Sequence, residues 1–179
     1  MSKYLELVAT CQNYSNQMRD YKEDCCQFIS AFLIGMSEYL NAPQEAIAVY
    51  PSINIKDVEE IRKTVTLRDN SPFCSLKFLI KINHILPVVK DGTYVFDFDR
   101  NSVVVGTINV KKEDYENSYY VVKIDSISRE FKVTDSQRRE EVYEEIFKSI
   151  TNFYKEGFEN FLKGDKKSFG FQVESEITV

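Results

Sequence analysis

Apolar residues recur every three or four positions along the first forty residues: Tyr4, Val8, Cys11, Tyr14, Met18, Tyr21, Cys25, Phe28, Phe32, Met36 and Tyr39. That spacing keeps them on one side of an α-helix, so the pattern predicts helix from about Lys3 to Leu40. As a straight rod it would be about 57 Å long, while a compact domain of this chain length is about 40 Å across. Such a helix either breaks or stands clear of the domain and lays its stripe on another chain. The weak helix formers Asn13-Tyr14-Ser15-Asn16 favour a break between residues 13 and 16, where Ser or Asn can cap a new start. Pro43 disfavours helix in the residue before it, so Asn41-Ala42-Pro43 ends the element.

Residues Ala46 to Tyr50 read as a short strand, and Asn54 as the cap of a short helix with Ile55, Val58 and Ile61 on its apolar face. Asp69-Asn70-Ser71-Pro72 reads as a loop. From Ser75 the period changes to two. Leu76, Phe78, Ile80 and Ile82 share one parity against Lys77, Lys81 and Asn83 on the other, the mark of a half-buried strand. Asp91-Gly92 is a hairpin signal. Tyr94, Phe96 and Phe98 alternate next. A second turn at Asp99-Arg100-Asn101-Ser102 leads into Val104, Gly106, Ile108 and Val110. After a charged connection at 111–117, Tyr120, Val122 and Ile124 resume the pattern, and Phe131 and Val133 continue it. These segments predict an antiparallel meander of four to five strands with one apolar face.

Asp135-Ser136 opens a second long helix, whose stripe runs Val142, Ile146, Ile150, Phe153, Gly157 and Phe161 up to a stop at Gly164. Beyond it Phe169, Phe171, Val173, Ile177 and Val179 alternate with polar residues, as a strand does. The expected fold is a single α+β domain over residues 1–179. It comprises a helical region at 3–41, a sheet region at 46–134, a C-terminal helix at 136–163 and a terminal strand at 168–179.

Composition narrows the function classes. The chain has 179 residues, 43% of them hydrophobic, with thirteen Phe and eleven Tyr, and a formal net charge of −5. A surplus of acid disfavours nucleic-acid phosphates or an anionic membrane as the main partner, since both attract Lys and Arg. No apolar run approaches the roughly 20 residues of a membrane span. The four cysteines form no C-x-x-C pair, and Cys11 and Cys25 lie on the helical stripe, where they read as small buried hydrophobes. A reducing, cytoplasmic setting follows.

Candidate chemistry is sparse. His84 is the single histidine, in phase with the apolar strand face. It is a general-base candidate, but a hydrogen-bonded histidine at the core rim is the simpler reading. Asp97 and Asp99 project from one strand face about 6–7 Å apart. They are candidates for a cation or acid–base pair, with Asp125 as a third member, or else they keep a hairpin end soluble. No phosphate-cradling glycine loop is present, and no cofactor, metal site or catalytic set is expected. Lys77, Lys81, Lys123, Arg129 and Lys132, near Tyr94 and Tyr119, are diluted by acids and suit cross-strand pairing.

The chain therefore reads as a non-enzymatic cytosolic protein-interaction module, of the inhibitor, immunity, adaptor or chaperone kind. It is expected to bind a protein partner and to self-associate as a homo-oligomer. The expected contact residues are Tyr14, Met18 and Tyr21 on the helix and Phe169, Phe171, Val173 and Ile177 on the terminal strand. The alternative is a small-molecule-binding protein or enzyme with an apolar cavity between sheet and helix and His84, Asp97 or Asp99 at its mouth. A third reading is nucleic-acid binding on the sheet face.

Overall fold

A computed structural model describes residues 2–43, 46–67, 71–83, 86–90, 93–97, 101–113, 119–163 and 172–175, with side chains left aside at 83, 86–90, 93–97, 101–102, 157–162 and 172–175. Its first element, α1 (Lys3–Tyr39), is one helix of 37 residues. The side chain of Ser2 caps its start by accepting a hydrogen bond from the Leu5 N–H at 3.3 Å. The break expected near 13–16 does not occur. The residues there are mediocre helix formers but none is Gly or Pro, and extending an existing helix by one residue is far easier than nucleating a new one. The C-terminal half of α1, seated on the sheet, supplies that existing helix. Its end is closed by Asn41, whose positive φ of 46° is a backbone region Asn tolerates. The Asn41 and Ala42 N–H groups turn back to the carbonyls of Glu38 and Ser37, both at 3.0 Å.

The chain continues through β1 (Ile47–Val49), β2 (Ile53–Asn54), α2 (Val58–Thr64), β3 (Thr66–Leu67) and β4 (Cys74–Asn83). Asp57, not Asn54, caps α2, accepting from the Glu60 N–H at 3.1 Å. Asn54 ends β2 and takes the Lys56 N–H instead. Then follow β5 (Leu86–Lys90), β6 (Thr93–Asp97), β7 (Asn101–Glu113), β8 (Tyr119–Ile124), β9 (Glu130–Val133), α3 (Ser136–Lys163) and β10 (Gln172–Ser175).

The main sheet has eight strands, ordered β2-β1-β4-β7-β8-β9, with β3 beside β4 and β10 beside β7. The α+β architecture expected from the sequence is present, with one change in the meander. The strand around Tyr94 does not join it: β6 pairs with β5 in a separate two-stranded hairpin, and β4 pairs directly with β7 from Cys74↔Val110 to Asn83↔Asn101. The Asp91-Gly92 signal falls between Lys90 and Thr93, which pair, and itself lies outside the described residues. Asn101 and Ser102, expected in a turn, begin β7, while Asp99 and Arg100 lie outside the described residues.

β7 is long enough to take two neighbours on one edge. Its first part, 102–105, pairs with β10, and its second part, 108–113, pairs with β8. The C-terminal strand thus completes the chain's own sheet.

The period-two pattern sorts the faces. Phe78, Val104, Ile108, Val110, Val122 and Ile124 point to the core, where they meet Ile29, Phe32, Leu33 and Met36 of α1 and Val142 and Ile146 of α3. Phe28 stacks on Tyr120 with ring centroids 4.0 Å apart, and Phe32 meets Tyr143 edge-on at 4.8 Å. On the opposite face a smaller buried cluster joins Ala48, Leu79, Val103 and Val105. The register sets Ala48, Leu79 and Val105 in one row across β1, β4 and β7.

Candidate interaction surface

The sheet supports only half of α1. From Tyr21 onward the helix is half-buried or buried on its inner side; before Tyr21 every described residue except the half-buried Val8 is exposed. The bare half spans residues 3–20, about 27 Å of helix. Along it Tyr4, Leu7, Tyr14 and Met18 are 72%, 61%, 63% and 37% exposed. The apolar stripe is not interrupted where the sheet stops. With Leu7 in place of the Val8 that the sequence pattern suggests, Tyr4, Leu7, Cys11, Tyr14, Met18, Tyr21, Cys25, Phe28 and Phe32 alternate in steps of three and four without a gap, the repeat of a coiled-coil seam. The same face that meets the sheet from Tyr21 to Phe32 therefore continues, bare, toward the N-terminus.

Tyr21 marks the junction. Its hydroxyl donates to the Pro72 carbonyl at 2.5 Å and accepts from the Lys112 N–H at 3.3 Å, tying the helix to both the β4 approach and β7. Burial, with the nearby Cys25 thiol, holds its phenol well above the ordinary tyrosine range. One turn further Asp24 pairs with Lys112 at 2.6 Å, and Glu23 pairs with Arg62 of α2 at 2.5 Å. Of the three helix residues expected at an interface, Tyr14 and Met18 thus lie on the bare half, whereas Tyr21 spends both bonds of its hydroxyl inside the domain.

Of the expected strand residues, Val173 lies in β10 and pairs with Val104, while Phe169, Phe171 and Ile177 lie outside the described residues. So do His84 and Asp99 of the expected polar site. Asp97 ends β6 opposite Leu86. Asp125 is taken up by a local chain on the outer sheet face: Ser75 donates to the Asn109 side-chain oxygen at 2.6 Å, and the Asn109 amide donates to Asp125 at 2.7 Å. Among the described residues no group of three His, Cys, Asp or Glu is arranged to hold a metal ion.

The cysteines divide differently from the sequence expectation. Cys25, Cys26 and Cys74 are fully buried, but Cys11 is exposed, because it sits on the half of the stripe that nothing covers. The contact between the Cys25 and Cys74 thiols raises the pKa of Cys74, with burial adding to it, and lowers that of Cys25 against the effect of burial. Burial pushes Cys26 up to about 11. These three thiols face the core, closed to a substrate.

The sheet lysines are engaged one by one. Lys123 faces Glu130 across the strands at 3.9 Å, and Lys132 lies 3.8 Å over the Tyr119 ring. Arg129 lies 4.4 Å over Phe131 and 3.8 Å from Glu145.

Recesses open on both faces of the sheet. An apolar cleft of about 850 Å³ opens where the end of α1, the β4 end and α3 meet, lined by Leu40, Ile80, Ile82, Phe147, Ile150 and Tyr154 among others. A polar recess of about 680 Å³ lies over the outer sheet face, beside Ser75, Lys77, Asn109, Lys123 and Asp125.

No family model matches this chain, no curated protein matches it in sequence, and no solved structure matches it in fold. Among the described residues no helix is long and apolar enough to cross a membrane.

Proposed function

We propose that this chain is a non-enzymatic, cytoplasmic protein-interaction module that acts by laying the bare half of α1 on a protein partner. The observation that carries this reading is the continuation of an apolar helical seam about 27 Å beyond the sheet that buries its other half. Exposed apolar surface of that extent is uncommon on a protein that functions alone and is typical of helix-in-groove or helix-on-helix recognition. The absence of charge from the seam fits an interface centre, where charged residues are depleted and Tyr and Met enriched.

The test is photo-crosslinking in native cytosol. A photoreactive side chain replaces Tyr14 in one variant and the exposed Lys56 in another. Discrete protein adducts from position 14 and none from position 56 support the reading. Equal labelling, or none from either, overturns it.

The apolar cleft favours a second reading, a small-molecule-binding protein, because its volume lies in the range of ligand sites and most of its lining is aliphatic or aromatic. Phe147 is 47% exposed at its rim. An apolar dye that brightens on burial should bind the wild type and lose most of its signal with Phe147→Asp. Equal signal from both proteins counts against this second reading.

A further inference from the structure

We infer that the bare half of α1 is a self-recognition seam, on which a second copy of this chain docks antiparallel, so that the two helices overlap from Tyr4 to Tyr21. The inference rests on the interaction reading above and names the partner.

The direction of the second helix follows from what already occupies the seam. One helical face serves both as the bare stripe and, from Tyr21 on, as the surface covered by the sheet. A parallel copy would run along that face into the Pro72 and Lys112 backbone that holds Tyr21. An antiparallel copy ends where the sheet begins. Its own folded domain then lies beyond Tyr4, at the far end of the overlap.

The heptad spacing sets the register. With Tyr4 of one copy opposite Tyr21 of the other, Leu7 falls opposite Met18 and Cys11 opposite Tyr14, and the mirrored pairs repeat on the far side of the two-fold axis. Each layer joins one larger and one smaller or more flexible side chain, except at the two ends, where tyrosines meet.

Charge permits the arrangement. From Lys3 to Tyr21 the segment carries Lys3 and Arg19 against Glu6 and Asp20, so it is neutral although the chain as a whole is −5. Val8, Thr10, Ser15 and Gln17, the flanking positions inside the overlap, are uncharged, so two identical copies meet no like charge there. Lys3 and Lys22, the charged flanking residues, stand just outside the two ends of the overlap.

The area is sufficient. A covered tyrosine removes about 150–250 Å² from water. Tyr4 and Tyr14 from both copies, with Leu7 and Met18, bring the seam to roughly the 1,200 Å² at which specific interfaces begin.

The experiment uses the purified full chain alone. Sedimentation from low to high micromolar concentration is expected to show a shift from one copy of 20.9 kDa to two, and Leu7→Glu with Tyr14→Glu should return the protein to one copy with an unchanged circular dichroism spectrum. Oxidised glutathione then reads the direction. Since Cys11 faces Tyr14 of the other copy, the Tyr14→Cys variant should cross-link rapidly between Cys11 of one copy and the introduced thiol of the other. Each such bond forms as two thiols are oxidised and the glutathione disulfide is reduced. The wild type, whose Cys11 residues are offset, should cross-link at least tenfold more slowly.

A chain that stays single at every concentration overturns the second-copy assignment. So does a dimer insensitive to the Leu7 and Tyr14 changes, or one that cross-links fastest through Cys11 to Cys11 in the wild type. Position-14 adducts with other proteins in cytosol, together with a single-copy purified chain, would leave the interaction module standing with a different partner.

Discussion

At Gly35 the main helices come so close that a side chain would have no room. A Cβ there would lie 2.6 Å from the Tyr143 hydroxyl oxygen and 3.4 Å from its ring carbon. The hydroxyl is fixed because it donates to the Phe32 carbonyl at 3.0 Å inside the core. Gly35→Ala should therefore destabilise the protein by about 1–3 kcal/mol through overpacking, although Ala is the better helix former. In a Tyr143→Phe background the obstructing oxygen is gone, and the same change should be neutral or stabilising. Denaturant midpoints of the four proteins check this; an additive cycle would show that the two residues do not touch. Burial also raises the Tyr143 phenol to about 12. The neutral form is favoured in the folded state, so its contribution is complete below the unfolded value near 10 and is lost as pH rises through about 12. Melting curves from pH 9 to 12 should fall more steeply for the wild type than for Tyr143→Phe. None of this is legible at Gly35 in the sequence, since one glycine in a helical pattern looks the same whether it faces water or a tyrosine. Tyr143 lies off the stripe recognised for α3, and its partner is 111 residues away.

The elements themselves are largely readable, because burial on one side writes its own period into a strand or helix. α1, β4, β7, β8 and α3 all lie where apolar spacing places them. What spacing does not decide is how far each element is covered. The stripe of α1 is as apolar at Tyr4 as at Phe32, yet only the second half is packed, so Cys11 reads as a core residue and is exposed. Two outcomes follow at this scale. Deleting residues 1–18 should shift the melting temperature by less than about 2 °C when measured at high dilution, since residues 2–18 are exposed apart from the half-buried Val8. Tyr21→Ala, three residues further, removes two hydrogen bonds and a half-buried ring and should destabilise by about 2–3 kcal/mol. Ending the chain at Lys163 should also lower stability, because β7 loses its β10 neighbour over 102–105; an unchanged denaturation curve would mean that this pairing contributes little.

For the whole molecule, function turns on which surfaces remain after the core is made. Lys123 is engaged by Glu130, Lys132 by the Tyr119 ring, and Arg129 by Phe131 and Glu145. With a net charge of −5, the chain should pass through a phosphate-bearing resin at moderate salt; retention would point back to the sheet face as a nucleic-acid surface. Among the described residues, the apolar cleft and the bare helix are surfaces that a core does not explain. Sequence alone determined the class of fold, the two long helices and the seam, because periodicity records which side of an element meets apolar surroundings. It carries no information on whether those surroundings belong to the same chain. Tertiary structure decided that β10 closes its own sheet, that β4 pairs directly with β7 and so leaves β6 out of the meander, and that the sheet reaches only as far as Tyr21. Each of those outcomes depends on contacts between residues far apart in sequence, and spacing along one element cannot encode them.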